Sequence, residues 1–287
     1  MTLSALHSAH PNTADSGAEA VKVRANGIVI NYETVGDGDC LVLIHGAGDN
    51  LRMWYEQTPV FSRHYRVLAY DVRGFGETEC PQSDVDMPLL AADLRELLRS
   101  LDVESAFLLG YSTGGRIALR FAVDQPQTAR ALVLANSNTG LGTPSPEAQE
   151  RRQRLMDALE RGDLETVAEE MTASSFSPGL KERNSALFER YKQIKLANDA
   201  ACFARVWKAM AQARPPDLGR LSCPVLLIAG EHDAFAPLES MRQTQAAIPG
   251  SRLEALPAGH ASALEAPEQF NNVVLDFLAA VRRNESA

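Results

Sequence analysis

One serine sits where its hydroxyl can do chemistry. Gly110-Tyr111-Ser112-Thr113-Gly114-Gly115 follows an apolar run ending at Leu109 and precedes a helical stretch. In such a strand–turn–helix setting the glycines permit a sharp turn that presents the hydroxyl at the head of the helix. Taken alone, the G-x-S-x-G spacing is equally that of a tight turn with a helix-capping serine. To attack a carbonyl, a serine needs a base for its proton and a third group to orient that base. Of the six histidines, His260 alone follows the last apolar run in a glycine-containing loop, Pro257-Ala258-Gly259-His260. His7 and His10 lie near the start of the chain, His64 reads as solvent-facing, and His232 adjoins an acid without facing the same way. The orienting carboxylate is assigned to Asp233 in Gly230-Glu231-His232-Asp233. Glu231 is the alternative, and Asp233 is also placed to cap the turn before Pro237. A rival strand-end position, Ala135-Asn136-Ser137, offers no carboxylate. Together these residues predict acyl transfer to water, with Ser112 as nucleophile, His260 as general base and Asp233 as its orienter.

The elements that must position them are legible as alternating patterns. Asn26-Gly27 between two alternating apolar runs predicts a tight hairpin. Unbroken apolar runs at Cys40 to His45, Tyr65 to Tyr70, Ala106 to Leu109, Ala131 to Ala135, Val225 to Ala229 and Leu253 to Leu256 predict strands, most of them covered on both faces. Between them, Leu89 to Leu101, Gly114 to Val123, Leu238 to Ala247 and Glu268 to Val281 carry apolar residues near helical spacing. The alternation predicts an α/β fold: a doubly wound, mostly parallel eight-stranded sheet. Serine, acid and histidine then all fall at strand ends, where open α/β sheets bind ligands.

The segment from Thr139 to Pro216 breaks the rhythm. It holds charged amphipathic stretches, Glu147 to Glu170 and Lys181 to Ala213, no run resembling a parallel strand, and closes on the helix-stopping pair Pro215-Pro216. It predicts a helical cap over one end of the sheet. The expected organisation is a mobile tail at 1–20, a core of 21–138 and 217–287, and a cap of 139–216.

Composition narrows the class. With 45% hydrophobic and 23% charged residues, the 287-residue chain is that of an ordinary globular protein able to bury a sizeable core. A formal charge of -9 disfavours nucleic acid and anionic membrane as partners. The first twenty residues show neither a basic segment nor an apolar run of signal-peptide type, and nothing later approaches a membrane span, so a cytoplasmic location is expected. Cys40, Cys80, Cys202 and Cys223 are scattered without metal-ligand or CxxC spacing and are expected to be free thiols in a reducing compartment. His45 lacks partners for a metal role. The chemistry calls for neither metal nor cofactor, and a homo-oligomer is left open.

Over nearly its full length from Val21 the chain resembles the α/β-hydrolase superfamily. LVLIHGAG (41–48), YDVRGFGETECP (70–81), GYSTGGRIAL (110–119), ALVLANS (131–137), LLIAGEHDAFAP (226–237) and GHASALEAPEQF (259–270) stand in family order. Within it, LVLIHGAGDNLRMW (41–54) and ALVLANSNTG (131–140) resemble the 3-oxoadipate enol-lactonase-like group. In this fold the oxyanion is received by the N–H after the nucleophile and by one from the loop after the third strand, here Thr113 and Ala47. The resemblance implies a small-molecule ester or lactone as substrate. Serine in the nucleophile position argues against haloalkane dehalogenases and epoxide hydrolases, which need a carboxylate there. Tyr111 stands where carbon–carbon hydrolases of meta-cleavage products usually carry asparagine, which lowers that alternative. Thr78, in place of the more usual serine after the RGFG turn, is expected to be structural only. A further alternative is a ligand-sensing or partner-binding member of the fold. Trp207, Met210 and Phe235 are candidates for an apolar pocket, although packing between cap helices explains the first two equally well. Arg205 and Lys208 are candidates to meet a substrate carboxylate, against the plainer reading of solvated helix charges.

Overall fold

The computed structural model describes residues 20–82, 84–140 and 145–285. The tail expected at 1–20 lies, apart from Ala20, outside the described residues. Among the described residues eight strands form one sheet: β1 (Val21–Ala25), β2 (Ile28–Val35), β3 (Cys40–Ile44), β4 (Arg66–Tyr70), β5 (Ala106–Tyr111), β6 (Ala129–Ala135), β7 (Val225–Gly230) and β8 (Arg252–Leu256). Their order is β1-β2-β4-β3-β5-β6-β7-β8. β2 runs antiparallel to β1 and to β4, and every other pairing is parallel. The hairpin joining β1 to β2 turns on Asn26 at φ +46° and Gly27 at φ +79°, the doubly positive turn that an Asn-Gly pair favours.

The helices are α1 (Thr58–Phe61), α2 (Met87–Ser100), α3 (Thr113–Asp124), α4 (Pro146–Glu160), α5 (Leu164–Ser175), α6 (Leu180–Arg183), α7 (Ser185–Leu196), α8 (Ala200–Gln212), α9 (Leu238–Ala247), α10 (Ser262–Glu265) and α11 (Pro267–Glu285). Because side chains alternate along a strand, each central strand feeds two cores. Val42, Leu108, Leu132 and Leu227 pack in one core with residues of α2 and α3, while Leu43, Leu109, Val133 and Leu226 pack in the other with Phe61 of α1 and Phe270, Val274 and Leu278 of α11. These side chains are wholly buried, and each contributes about 1.5–3 kcal/mol. Buried on both faces, the strands can read as continuous apolar runs rather than alternating ones.

Among the described residues five α-helices, α4 to α8, occupy the interval between β6 and β7. The stretch 147–170 is two helices rather than one. Gly162, at φ +73°, breaks it, and the Asp163 carboxylate caps α5 by accepting the Thr166 N–H at 3.1 Å. Asn184 and Asp199 divide the stretch 181–213 in the same way, capping α7 and α8. Among the described residues no helix is long and apolar enough to cross a membrane.

The cysteines require a correction. Cys80 and Cys202, expected to be free thiols, form a disulfide with a Cα separation of 6.2 Å, tying the loop after β4 to α8 across 122 residues. Cys40 and Cys223 are free. Thr78 plays the structural part expected of it, accepting the Asn31 N–H at 2.9 Å. His45 is structural as well. Its Nδ1 lies 2.8 Å from Gly46 O and its Nε2 accepts the Val72 N–H at 2.9 Å, so the ring joins the ends of two strands as a neutral imidazole. Burial pushes its pKa down.

Candidate active site

Ser112 occupies the turn between β5 and α3 at φ +52°, ψ -115°, a backbone conformation costly for any residue with a Cβ. The surroundings hold it there. Its N–H donates to Ala135 O at 2.9 Å, and its carbonyl accepts the Ser137 hydroxyl at 2.6 Å. The flanking glycines answer to close approach: a Cβ on Gly110 would stand 2.3 Å from Gly114 O, and one on Gly114 would stand 2.1 Å from Ile44 O.

His260 lies in the loop between β8 and α10, with the next residue's N–H donated to Ser175 O at 2.7 Å. Its Nε2 is 2.9 Å from Ser112 Oγ, and its Nδ1 is 2.9 and 2.8 Å from the two oxygens of Asp233. Asp233, after β7, is buried, and its Oδ1 also accepts the N–H groups of Phe235 and Ala236, each at 2.8 Å. Glu231, the alternative acid, and His232 are exposed. Burial pushes the Asp233 carboxyl up, but its electrostatic interaction and hydrogen bond with His260, the Ala236 amide and Asn136 together outweigh it and hold the pKa below the usual carboxylate value. The arrangement can pass a proton from the serine hydroxyl to Nε2 while the carboxylate fixes Nδ1–H.

Asn136 has a part that its sequence position conceals. Standing where a rival acid would stand, its side-chain N–H₂ donates to Asp233 Oδ2 at 3.0 Å and to Gly259 O at 3.3 Å, while its carbonyl accepts the Ser262 hydroxyl. It braces the acid and the histidine loop together. The signal was present as a polar residue closing an apolar strand.

Thr113 is the first residue of α3, where N–H groups lack intrahelical acceptors. Ala47 is buried inside the turn Gly46–Asp49, closed by Asp49 N–H to Gly46 O at 3.2 Å with Gly48 at φ +76°. Both line the cleft that holds Ser112 and His260, about 850 Å³ measured out to its mouth. Trp207, Met210 and Phe235 line it too. Met210 Sδ accepts the Thr113 hydroxyl at 2.6 Å, and the Phe235 ring centre lies 4.8 Å from that of His260.

The cationic residues differ from expectation. Arg205 and Lys208 are not among the cleft-lining residues: Arg205 points its guanidinium at the sulfurs of Cys80 and Cys202, and Lys208 is exposed. Arg116, Arg151 and Arg152 line the cleft in their place, as does Lys195, which is paired with Asp49. Among the described residues none of the three arginines joins an ion pair. Arg151 donates to Ala234 O at 2.7 Å and stacks 4.5 Å over the Phe235 ring, yet its Nε is buried without a partner. Burial pushes all three pKa values down, and the charge of Arg152 adds to this at Arg116 and Arg151. A helical charge pattern could not mark which arginines border the cleft, Arg152 doing so while exposed.

Among the described residues no group of three or more His, Cys, Asp or Glu side chains could hold a metal ion.

With this fold and site, the chain belongs to the alpha/beta hydrolase fold family, whose model matches residues 39–267. It is 31% identical to 3-oxoadipate enol-lactonase 2 of Acinetobacter baylyi over 87% of this chain and 93% of that protein. It is 29% identical to the 2-hydroxy-6-oxononadienedioate/2-hydroxy-6-oxononatrienedioate hydrolase of Klebsiella pneumoniae, over 92% of this chain and 93% of that one. The crystal structure of the enol-lactonase from Burkholderia xenovorans LB400 superposes with a TM-score of 0.84 at 27% identity, covering 90% of this chain and all of the other.

Proposed function

We propose that the protein is a serine hydrolase that cleaves a carboxylic ester or lactone through an acyl-enzyme. The observation that carries this reading is the unbroken hydrogen-bonded path from Asp233 through His260 to Ser112. His260 takes the Ser112 proton as Oγ attacks the carbonyl carbon, and the carbonyl oxygen becomes an oxyanion received by the N–H groups of Ala47 and Thr113. The imidazolium, stabilised by Asp233, gives its proton to the leaving oxygen as the tetrahedral intermediate collapses to the ester of Ser112. Water then attacks that ester with His260 again as base, releasing the acid and restoring the hydroxyl.

The three guanidiniums, none of them in an ion pair among the described residues, support a substrate that carries an anionic group, with Arg151 Nε as its most evident donor. The likeness to the Acinetobacter and Burkholderia enol-lactonases supports a lactone acid within this class. The test is incubation with an uncharged fluorophosphonate, with turnover of simple esters and lactones in parallel. The reading expects a phosphonyl adduct on Ser112, many turnovers per enzyme, and loss of both in Ser112→Ala. Retained activity in Ser112→Ala would end it, and one acylation followed by stalling would favour a ligand sensor.

The Klebsiella relative supports a second reading, carbon–carbon hydrolysis of a ring-fission diketone by the same residues, against which Tyr111 stands. Faster turnover of such a diketone than of any ester would select it.

A further inference from the structure

The cap helix α7 reaches into the catalytic loop through a buried ion pair. Lys195 Nζ lies 2.7 Å from Asp49 Oδ1, and both side chains are 1% exposed. Asp49 closes the turn that contains Ala47. The same end of α7 grips that loop twice more: Asn198, just beyond the helix, donates to Gly48 O at 2.8 Å, and Asn50 donates to Ile194 O at 3.2 Å. Phe203 of α8 presses on the turn so closely that a Cβ on Gly48 would stand 2.6 Å from its ring. Asn198 also accepts the Gly76 N–H at 2.8 Å, anchoring the contact to the core.

A buried ion pair is a poor device for stability alone, because desolvation of two charges cancels most of their attraction and an apolar pair would serve as well. It is an effective device for specifying one arrangement, since either charge buried without the other is strongly disfavoured. Lys195, delivered by α7, supplies the charge that offsets the burial of Asp49 in this turn. The shape of the Gly46–Asp49 turn, and with it the direction of the Ala47 N–H, is therefore tied to the seating of the cap.

We infer that Lys195 is a positioning residue that sets the oxyanion loop from the cap, with Asn198 as its partner; this rests on the reading of Ala47 as an oxyanion donor. The cap on this view does more than cover the substrate. Unseating it removes the charge that holds Asp49, lets the turn relax, and weakens the site where negative charge develops.

The experiment compares Lys195→Met, Lys195→Arg and the pair Asp49→Asn/Lys195→Met with wild type. Lys192→Gln, on the same helix and paired with Glu165 and Glu169, is the control for loss of a cap charge. The readouts are kcat and KM on p-nitrophenyl acetate, the second-order rate of Ser112 phosphonylation by an uncharged phosphonate, and Tm. Mispositioning of one donor costs about 10–100-fold. Lys195→Met is expected to lose that much in kcat and in phosphonylation with KM changed less than about threefold. Lys195→Arg should recover most of it, the double variant should lose less than Lys195→Met, and Lys192→Gln should match wild type. A folded Lys195→Met whose kcat and phosphonylation rate stay within about twofold of wild type would overturn the inference, as would a loss confined to KM. Should Lys195→Met not fold, Asn198→Ala and the double variant are judged by the same criteria. Failure of the wild type itself to be labelled would refute the serine hydrolase reading, whereas equal labelling of wild type and variant refutes the positioning role alone.

Discussion

Replacing Asp233 by asparagine changes one atom and should cost nearly the whole of the rate. Oδ1 is committed to two N–H donors, Phe235 and Ala236, each at 2.8 Å. The amide oxygen of the asparagine must therefore take that place. Its N–H₂ then falls where Oδ2 was, 2.8 Å from His260 Nδ1 and 3.0 Å from the donor nitrogen of Asn136. With a donor at its shorter contact, and the oxygen 2.9 Å away already holding two N–H groups, Nδ1 is expected to become an acceptor, which moves the ring proton to Nε2. A protonated Nε2 cannot accept the Ser112 proton across 2.9 Å. The corresponding substitution in a serine protease lowers kcat about 10⁴-fold, and four decades correspond to about 5.4 kcal/mol. The assay is kcat on p-nitrophenyl acetate at neutral pH together with the ¹⁵N shifts of the His260 ring, with a thermal melt to verify folding. A tautomer fault predicts ¹⁵N shifts of an Nε2–H ring and a loss in Asp233→Asn at least as great as in Asp233→Ala, although alanine removes more atoms. A folded Asp233→Asn retaining a tenth of the activity, or an unchanged tautomer, would refute the reasoning.

Three further outcomes follow from the same geometry. Ser112→Gly and Ser112→Ala should both be inactive, with glycine melting higher, because relief of the strained backbone (about 1–3 kcal/mol) exceeds the chain entropy that glycine gives up (about 0.5–1 kcal/mol); equal melting temperatures would contradict the strain. Arg151→Gln should raise KM about tenfold or more for an ester bearing a free carboxylate and leave a neutral ester within about twofold, an effect that weakens with added salt; equal changes for both esters would dismiss the anion site. The Asp233 carboxyl is held below its ordinary value, so its contribution is present above the unfolded-state pKa of about 3.9 and is lost as pH falls through the lower folded value. The difference in Tm between wild type and Asp233→Asn should accordingly be constant from pH 5 upward and shrink below about pH 4; a difference growing toward acid would reverse the sign of the shift.

What the sequence discloses is what local pattern encodes. Asn26-Gly27 marks its hairpin because the turn demands two positive φ values at adjacent positions. The central strands are legible because both faces are buried, and Ser112, Asp233 and His260 because each follows a strand whose end is marked by glycine or a change to polar residues. Trp207, Met210 and Phe235 do reach the cleft, while Arg205 and Lys208 do not, since helical periodicity gives a face but not what that face meets. Charged runs also hid the helix breaks at Asp163, Asn184 and Asp199, whose capping role depends on one hydrogen bond each. The remaining features are set by tertiary approach alone: Cys80 with Cys202 at a separation of 122 residues, Lys195 with Asp49 at 146, and Asn136 with Asp233 at 97. No spacing rule spans such distances.

The separation of 148 positions between Ser112 and His260 has a consequence for the chain as it is made. At about 5–20 residues per second, Ser112 emerges roughly 7 to 30 s ahead of His260. For that interval the nascent chain carries the serine without the imidazole that stands 2.9 Å from it in the folded protein. On the proposed reading the Ser112 hydroxyl can be activated only once β7 and β8, which precede Asp233 and His260, have joined the edge of the sheet.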